Sequence, residues 1–267
     1  MSTRMLNKSN AQIRVYRDSD ELALKAARYF ARLADQYCVG SGRFAVALSG
    51  GSTPRKMYSI LAEAPFLDTV PWSSIYFFWG DERCVLPGHQ DSNYRMAYEA
   101  LLSKVPVPPE NIFRVATELE DPERIAEEYS ARLTKFFLTS ARRSETAPLS
   151  NVPRFDLILL GMGPDGHTAS LFPHTAALND NTHIAVANYI EKLNVHRITL
   201  TAATINNARN VTFVAAGGDK AGVLKNVIEG SYQPELFPSQ LIHPRNGTLL
   251  WMVDEDAARL LSEQREV

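Results

Sequence analysis

Residues 155–173 read FDLILLGMGPDGHTASLFP, and this segment indicates the fold class because an apolar run passes directly into a glycine-rich loop. Residues 155–160 are nearly all apolar, which is typical of a strand buried on both faces of an α/β sheet. The glycines that follow permit a sharp turn at the carboxyl end of the strand, where open α/β sheets bind ligands. The loop also contains Asp165 and His167, so it predicts a site that holds an anion and moves a proton.

The loop glycines have the spacing of a dinucleotide-binding fingerprint, with Gly161, Gly163 and Gly166 in the required positions. That fingerprint also needs a helix opening at its last glycine and an acidic residue about 20 residues later. Pro173 interrupts such a helix early, and residues 184–188 include no acid. We therefore reject a nicotinamide enzyme, and we expect no cofactor.

The rest of the chain alternates strand-like and helix-like segments without a repeat. Such alternation predicts an α/β fold with a mainly parallel sheet and helices on both faces. We expect one domain over residues 1–267, with 1–11 as an N-terminal tail and 142–153 as a surface connection. The predicted strands are 12–16, 43–48, 74–79, 155–160, 197–201, 210–215 and 248–253. The predicted helices are 20–37, 54–63, 92–103, 122–139 and 220–229.

Composition and charge limit the classes of protein that fit. A net charge of -2 and a pI near 6.3 give no general field that would attract nucleic acid or an acidic membrane. Cys38 and Cys84 lack metal-ligand spacing and indicate free thiols in a reducing compartment. The N-terminus has no apolar signal core, and no run of about 18 apolar residues occurs. We expect a soluble, cytoplasmic protein.

A second glycine loop follows the apolar strand at 43–48 and precedes Pro54. Backbone N–H groups and the helix macrodipole at such a helix start favour phosphate binding. The loop is not a P-loop, because the Gly-Lys-Ser/Thr ending is missing. The alternative is an ordinary turn in which Ser52 or Thr53 caps the helix. The candidate phosphate ligands in this loop are Gly50, Gly51, Ser52 and Thr53.

Charged residues follow the next apolar strand, where Asp81, Glu82 and Arg83 occur together. Alone, they are typical of a solvated loop. Arg197 opens a later strand and Lys220 precedes a helix, and either is also compatible with an ordinary surface charge. Together with the glycine loop, these cations supply what a phosphate dianion needs, since each charge-assisted hydrogen bond contributes about 1.5 to 3 kcal/mol.

Motifs along residues 14–258 resemble those of the 6-phosphogluconolactonases and occur in the same order. The block at 165–173 is the most specific of them. That family belongs to a group that includes the glucosamine-6-phosphate deaminases and isomerases. The resemblance implies a three-layer α/β/α fold with a modified Rossmann-like sheet. The motifs are SGGSTP at 49–54, GDER at 80–83, SNY at 92–94, GMGPDGHTASLFP at 161–173, RIT at 197–199 and GDK at 218–220.

The resemblance implies hydrolysis of 6-phospho-D-glucono-1,5-lactone, which needs a phosphate site, a base for water at C1 and donors for the oxyanion. We assign His167 as the base, because an imidazole can take a proton from water and return it to the ring oxygen. Asp165 is expected to orient that imidazole or the water, and Arg83 to stabilise the developing charge. The alternative for His167 is a structural loop histidine. Asp81, Gly163 and Gly166 are further substrate-site candidates.

Two other functions stay open. The deaminases share the glycine loop and the Asp-Gly-His element, but their pattern continues with a Glu that is absent at 167–173. A non-catalytic sugar-phosphate sensor usually has an added helix-turn-helix module, whereas only residues 1–11 precede the first predicted strand. No His-Glu-x-x-His or Gly-x-Ser-x-Gly element occurs, so we expect neither a metal site nor an acyl-serine route. The expected partner is a small sugar-phosphate lactone, bound by a monomer or weak homo-oligomer.

Overall fold

The computed structural model describes residues 4–8, 11–141 and 152–262. Apolar runs of the sequence become buried strands, and segments with helical periodicity become helices that flank them. The strands are β1 Arg4–Lys8, β2 Ala11–Tyr16, β3 Phe44–Leu48, β4 Ile75–Trp79, β5 Asp81–Arg83, β6 Leu157–Leu160, β7 Ala185–Ile190, β8 Val195–Leu200, β9 Asn210–Ala215 and β10 Thr248–Asp254. The helices are α1 Ser19–Ser41, α2 Ser52–Leu61, α3 Phe66–Thr69, α4 Asn93–Ala97, α5 Pro122–Ala141, α6 Ala202–Ile205, α7 Ala221–Glu229 and α8 Glu255–Ala258.

The main sheet has seven strands in the order β1-β2-β10-β9-β6-β3-β4. Its neighbours pair in parallel, except that β1 runs antiparallel to β2. Every residue of β3, β6 and β9 is buried, as expected for strands covered on both faces. The predicted α/β fold with a mainly parallel sheet is confirmed.

A second, smaller sheet has three antiparallel strands in the order β5-β8-β7. The strand predicted at 197–201 belongs to this sheet and not to the parallel one. The sequence analysis does not predict β5, in which all three residues are charged, or β7, whose apolar run at 184–187 is only four residues long. β5 of the small sheet follows β4 after a single residue, Gly80. The Gly80 carbonyl accepts a hydrogen bond from the Leu200 N–H at the end of β8, which connects the two sheets.

Two expectations about connecting segments have different outcomes. The prediction of an N-terminal tail over 1–11 is wrong, because Arg4–Lys8 pairs with β2 as an edge strand. As an edge strand it pairs through backbone hydrogen bonds with one neighbour, β2. Most of the predicted connection at 142–153 lies outside the described residues.

Two buried tyrosines fix the carboxyl ends of the strands that lead to the glycine and acidic loops. The Tyr58 hydroxyl accepts from the Ser49 N–H at 3.0 Å and donates to the Ser49 carbonyl at 2.9 Å. The Tyr129 hydroxyl makes the same pair of bonds with Trp79, at 2.9 and 2.8 Å. Burial raises the pKa of both tyrosines above the ordinary value. Each hydroxyl therefore stays neutral and serves as donor and acceptor at once.

Candidate active site

Loops at one end of the parallel sheet line a cavity of about 230 Å³ together with residues of the small sheet. This is the carboxyl end of the strands, where ligands bind in open α/β sheets. Of the predicted site residues, Asp165 and Gly166 are the two that lie outside its lining. The predicted residues that line it are Gly50, Gly51, Ser52, Thr53, Asp81, Arg83, Gly163, His167, Arg197 and Lys220.

The imidazole of His167 is held on three sides. Its Nδ1 is hydrogen-bonded to the Asp165 carboxylate, and its ring stacks on Phe172 with centroids 3.9 Å apart. Below it lies Gly163, where an added Cβ would fall 2.1 Å from both Cε1 and Nδ1 of the imidazole. Because an ionised carboxylate only accepts, Nδ1 carries a proton, and in the neutral imidazole Nε2 is then the acceptor.

Asp165 is held as a carboxylate by its partners. Burial raises the pKa of Asp165, but hydrogen bonds from His167 and Lys192 outweigh burial and bring the pKa below its ordinary value. Lys192 pairs with the second oxygen of the carboxylate. The sequence did not single out Lys192, because Glu191-Lys192-Leu193 looks like any solvated turn.

Gly166 shapes this loop from outside the cavity. Its φ of 79° lies in the left-handed region, and its carbonyl accepts from both the N–H and the hydroxyl of Ser239 at 2.9 Å. The predicted role of Gly166 as a substrate-site residue therefore does not correspond to its position, which is that of a turn residue.

The loop at residues 49–53 leads into the start of α2. The N-cap is Gly51, with a φ of 105°, and no side chain caps the helix, so the capping alternative for Ser52 or Thr53 does not apply. The first N–H groups of a helix have no partner inside it and carry the positive end of the macrodipole. Gly50 must lack a side chain, because a Cβ there would lie 2.0 Å from Oδ1 of Asn93. The loop presents backbone donors and two hydroxyls to the cavity.

Two arginines lie directly opposite each other in the small sheet, where Arg83 on β5 pairs with Arg197 on β8. Their Nε atoms are buried without a hydrogen-bond partner. Arg83 donates from Nη1 to the Asp91 carbonyl, while the Arg197 guanidinium makes no hydrogen bond or ion pair with any described residue and lies 5.9 Å from the centre of the Phe172 ring. Burial and the neighbouring Arg83 lower the pKa of Arg197. Like charges facing each other are unfavourable, so this pair indicates a seat for an anion.

Lys220 contributes a third cation to the same cavity. Its Nζ donates to the Ala216 carbonyl at 3.0 Å and pairs with Asp219 at 3.2 Å. The neighbouring Gly217 has a φ of 101°, which turns the chain after β9 so that the ammonium reaches the cavity.

The two acidic residues of β5 face opposite ways, as neighbours in a strand must. Asp81 lines the cavity, and its Oδ2 accepts from the Ser170 hydroxyl at 2.7 Å. Glu82 instead accepts the N–H groups of Asn93 and Tyr94 at 2.7 Å, at the start of α4. Burial raises the pKa of Glu82 against those hydrogen bonds. Asp81 therefore lies on the cavity wall, whereas Glu82 holds the start of α4.

Within residues 4–8, 11–141 and 152–262, no group of His, Cys, Asp or Glu side chains is arranged to hold a metal ion. In the same ranges, no helix combines the length and apolarity needed to cross a bilayer. Cys38 and Cys84 are both free.

Comparison with known proteins identifies the family. The model for "Glucosamine-6-phosphate isomerases/6-phosphogluconolactonase" matches residues 17–251. The chain belongs to this family of α/β sugar-phosphate proteins.

Within it, the chain resembles lactonases. It is 42% identical to a 6-phosphogluconolactonase of Synechocystis over 82% of this chain and 85% of the relative. It is 37% identical to the probable 6-phosphogluconolactonase 1 of Arabidopsis thaliana over 98% and 97%. The structure of 6-phosphogluconolactonase from Trypanosoma brucei superposes with a TM-score of 0.81 at 27% identity, covering 96% of this chain and all of that one. These similarities agree with the sequence motifs.

Proposed function

We propose that the protein hydrolyses 6-phospho-D-glucono-1,5-lactone to 6-phospho-D-gluconate, a reaction of the oxidative pentose phosphate pathway. The observation that carries the proposal is one cavity containing both a carboxylate-held imidazole and a seat for an anion made of Arg197, Lys220 and a helix start. The similarity to lactonases over most of the chain supports the same substrate.

The 6-phosphate binds at the basic side of the cavity. The Arg197 guanidinium makes no hydrogen bond or ion pair with the described residues, and the start of α2 offers backbone N–H groups and two hydroxyls. Lys220 completes the neutralisation of a dianion. Binding of the phosphate at this end holds the lactone carbonyl near His167. The carbonyl and the base then react in a fixed geometry instead of having to meet by diffusion.

Hydrolysis then proceeds by attack of water. The Nε2 of His167 takes a proton from a water molecule while the oxygen of that water bonds to C1, and the carbonyl electrons move to the oxygen. Arg83 and loop N–H groups stabilise the oxyanion. When the intermediate collapses, the bond from C1 to the ring oxygen breaks and the imidazolium returns its proton to that oxygen. Acid–base catalysis of this kind contributes about 10²- to 10⁴-fold.

Asp165 supports both steps through Nδ1. Its carboxylate fixes the tautomer in which Nε2 accepts, and its charge stabilises the imidazolium that forms during attack. Asp81 lies on the wall of the cavity with its carboxylate oriented by Ser170, so it can accept hydrogen bonds from sugar hydroxyls.

The deaminase alternative is not favoured, because the Glu of its pattern is absent from 167–173 and the curated relatives are lactonases. A cytoplasmic location, one domain over residues 1–267, a monomer or weak homo-oligomer and the lack of a nucleic-acid partner remain predictions.

The test is hydrolysis of freshly generated 6-phosphogluconolactone by the wild type, with product measured through a coupled dehydrogenase and spontaneous opening subtracted. We expect a large excess over background and no ammonia release from glucosamine 6-phosphate. Binding of the lactone without turnover would instead support the sensor, and ammonia release would support the deaminase.

A further inference from the structure

Asp165 connects the imidazole to a cation from the other sheet. Lys192 lies on the turn Glu191–Leu193 between β7 and β8, and its Nζ pairs with Oδ2 of Asp165. The other oxygen, Oδ1, binds Nδ1 of His167. The same Nζ lies 5.1 Å from the centre of the Phe172 ring, on which the imidazole stacks. Within the described part of the chain, Asp165 has no other ion pair.

A carboxylate beside a histidine has two opposed effects on a base. It fixes the tautomer, but its negative charge also favours the imidazolium, and an imidazolium cannot take a proton from water. A cation on the second oxygen offsets part of that charge while keeping the carboxylate ionised. The pairing of Lys192 with Asp165 provides such an offset.

Other charges also face His167. Inside the cavity, the nearest strands and loops contribute both signs, and a neighbouring recess behind Phe172 contributes further groups. Lys192 differs from all of them because it is bonded to the carboxylate that holds the imidazole. The groups in the cavity are Asp81, Arg83, Arg197 and Lys220, and those around the recess are Glu123, His174, Glu191 and His196.

We propose that Lys192 is a positioning residue for the base: by holding Oδ2 of Asp165, it keeps Oδ1 on the imidazole and offsets the carboxylate charge that would otherwise favour the imidazolium. This rests on the proposed lactonase function. The small sheet then has a role in proton transfer, because Lys192 on the β7–β8 turn reaches Asp165 on the loop after β6.

The first test is the pH dependence of kcat/KM for Lys192→Met, which removes the charge and keeps most of the side-chain volume. With the offset lost, the imidazole stays protonated to higher pH, so the acid limb should move up by about 0.5 to 1 pH unit. At about pH 6, kcat/KM should fall about 3- to 10-fold, and near pH 8 it should stay within about twofold of wild type. Lys192→Arg should restore the wild-type limb.

The matched control is Lys225→Met, at an exposed lysine of α7 that makes no ion pair with the described residues. It should have the wild-type profile. An equal loss at every pH in Lys192→Met would reduce the role of Lys192 to packing, and an unmoved limb would refute the proposal. Should Lys192→Met fail to fold, Lys192→Gln is measured in its place.

A second readout does not depend on turnover. The ¹⁵N shifts of labelled histidine, assigned through His167→Gln, report protonation of the imidazole directly, and Lys192→Met should titrate at higher pH than wild type. In an Asp165→Asn background the same substitution should add no further shift, because the bridge is gone. A shift of the same size in that background would overturn the proposal. Wild type without lactonase activity would refute the function, while this titration would still decide the role of Lys192.

Discussion

The two sheets contribute different chemistry to one cavity. Loops after parallel strands supply His167, the proposed base, together with backbone donors and Lys220, whereas the antiparallel sheet supplies Arg83, Arg197 and Lys192 on side chains that reach across. The central parallel strands β3 and β6 are buried along their length, but β8 begins with exposed residues. The imidazole is thus held by Asp165, Phe172 and Gly163 of its own loop, while the arginines and Lys192 reach the cavity with long side chains from a more exposed sheet.

We therefore expect substitutions in the two regions to change different kinetic constants. Changes in the parallel-sheet loops should displace the base and lower kcat, because small displacements in a reactive geometry are costly. Removal of Arg197, on the antiparallel sheet, should weaken phosphate binding and raise KM, whereas Arg83 and Lys192 of the same sheet should act on the oxyanion and on the base. Lys220 is the informative exception, since it lies on the parallel side but belongs to the phosphate seat.

The largest effect in this comparison is expected for Gly163→Ala. The added Cβ would fall 2.1 Å from two atoms of the imidazole, so His167 must move away from Asp165 or from the cavity. A displacement of this size should lower kcat by about 10²-fold. Steady-state kinetics measure this with the phosphorylated lactone.

The control for this variant is Gly222→Ala, because nothing lies within 4 Å of the added Cβ on α7. It should keep wild-type kcat and raise helix stability by about 0.5 to 1 kcal/mol. Wild-type kcat in Gly163→Ala would mean that the imidazole position does not limit the reaction.

An effect of comparable or smaller size, mainly on KM, is expected for Arg197→Ala and Lys220→Ala. Each variant removes charge-assisted hydrogen bonds worth about 1.5 to 3 kcal/mol, which corresponds to about 10- to 150-fold in kcat/KM. The effect should vanish with unphosphorylated gluconolactone, which has no dianion to bind. Equal losses of kcat/KM on both lactones would show that these residues do not bind the phosphate.

The smallest effect is expected for Ser170→Ala, which tests the link between the sheets. Its buried hydroxyl, on the loop after β6, donates to Asp81 of β5 at 2.7 Å. Loss of this donor should lower the free energy of unfolding by about 1 to 3 kcal/mol, measured by urea denaturation. Ser59→Ala, at a hydroxyl bonded only within α2, should change it by less than about 0.5 kcal/mol. Equal values for both variants would contradict a stabilising link.

The sequence predicts the parallel sheet well because a strand buried on both faces needs an apolar run. β5 could not be found in this way: Asp81, Glu82 and Arg83 are all charged, and their strand conformation comes from pairing with β8. The sequence likewise predicts a tail where β1 forms, because β1 is a strand only through its pairing with β2. In both cases the segment forms a strand because it pairs with a neighbouring strand, and the local sequence periodicity does not reveal such pairing.

The candidate site was predictable where a motif places several residues in one loop. Residues 49–53 and the Asp165–His167 pair are local in sequence, so their spacing shows their relation. Asp81 and Glu82 could be told apart only once the strand set their alternation. Lys192 lies 27 residues from Asp165, and its contact depends on how the small sheet packs.

The decisive measurement is hydrolysis of 6-phosphogluconolactone above spontaneous opening by His167→Ala and wild type at equal concentration. We expect kcat to fall by about 10²- to 10⁴-fold, while KM stays within about threefold because the phosphate seat is intact. A variant that keeps the wild-type excess would contradict the assignment of His167 as the base.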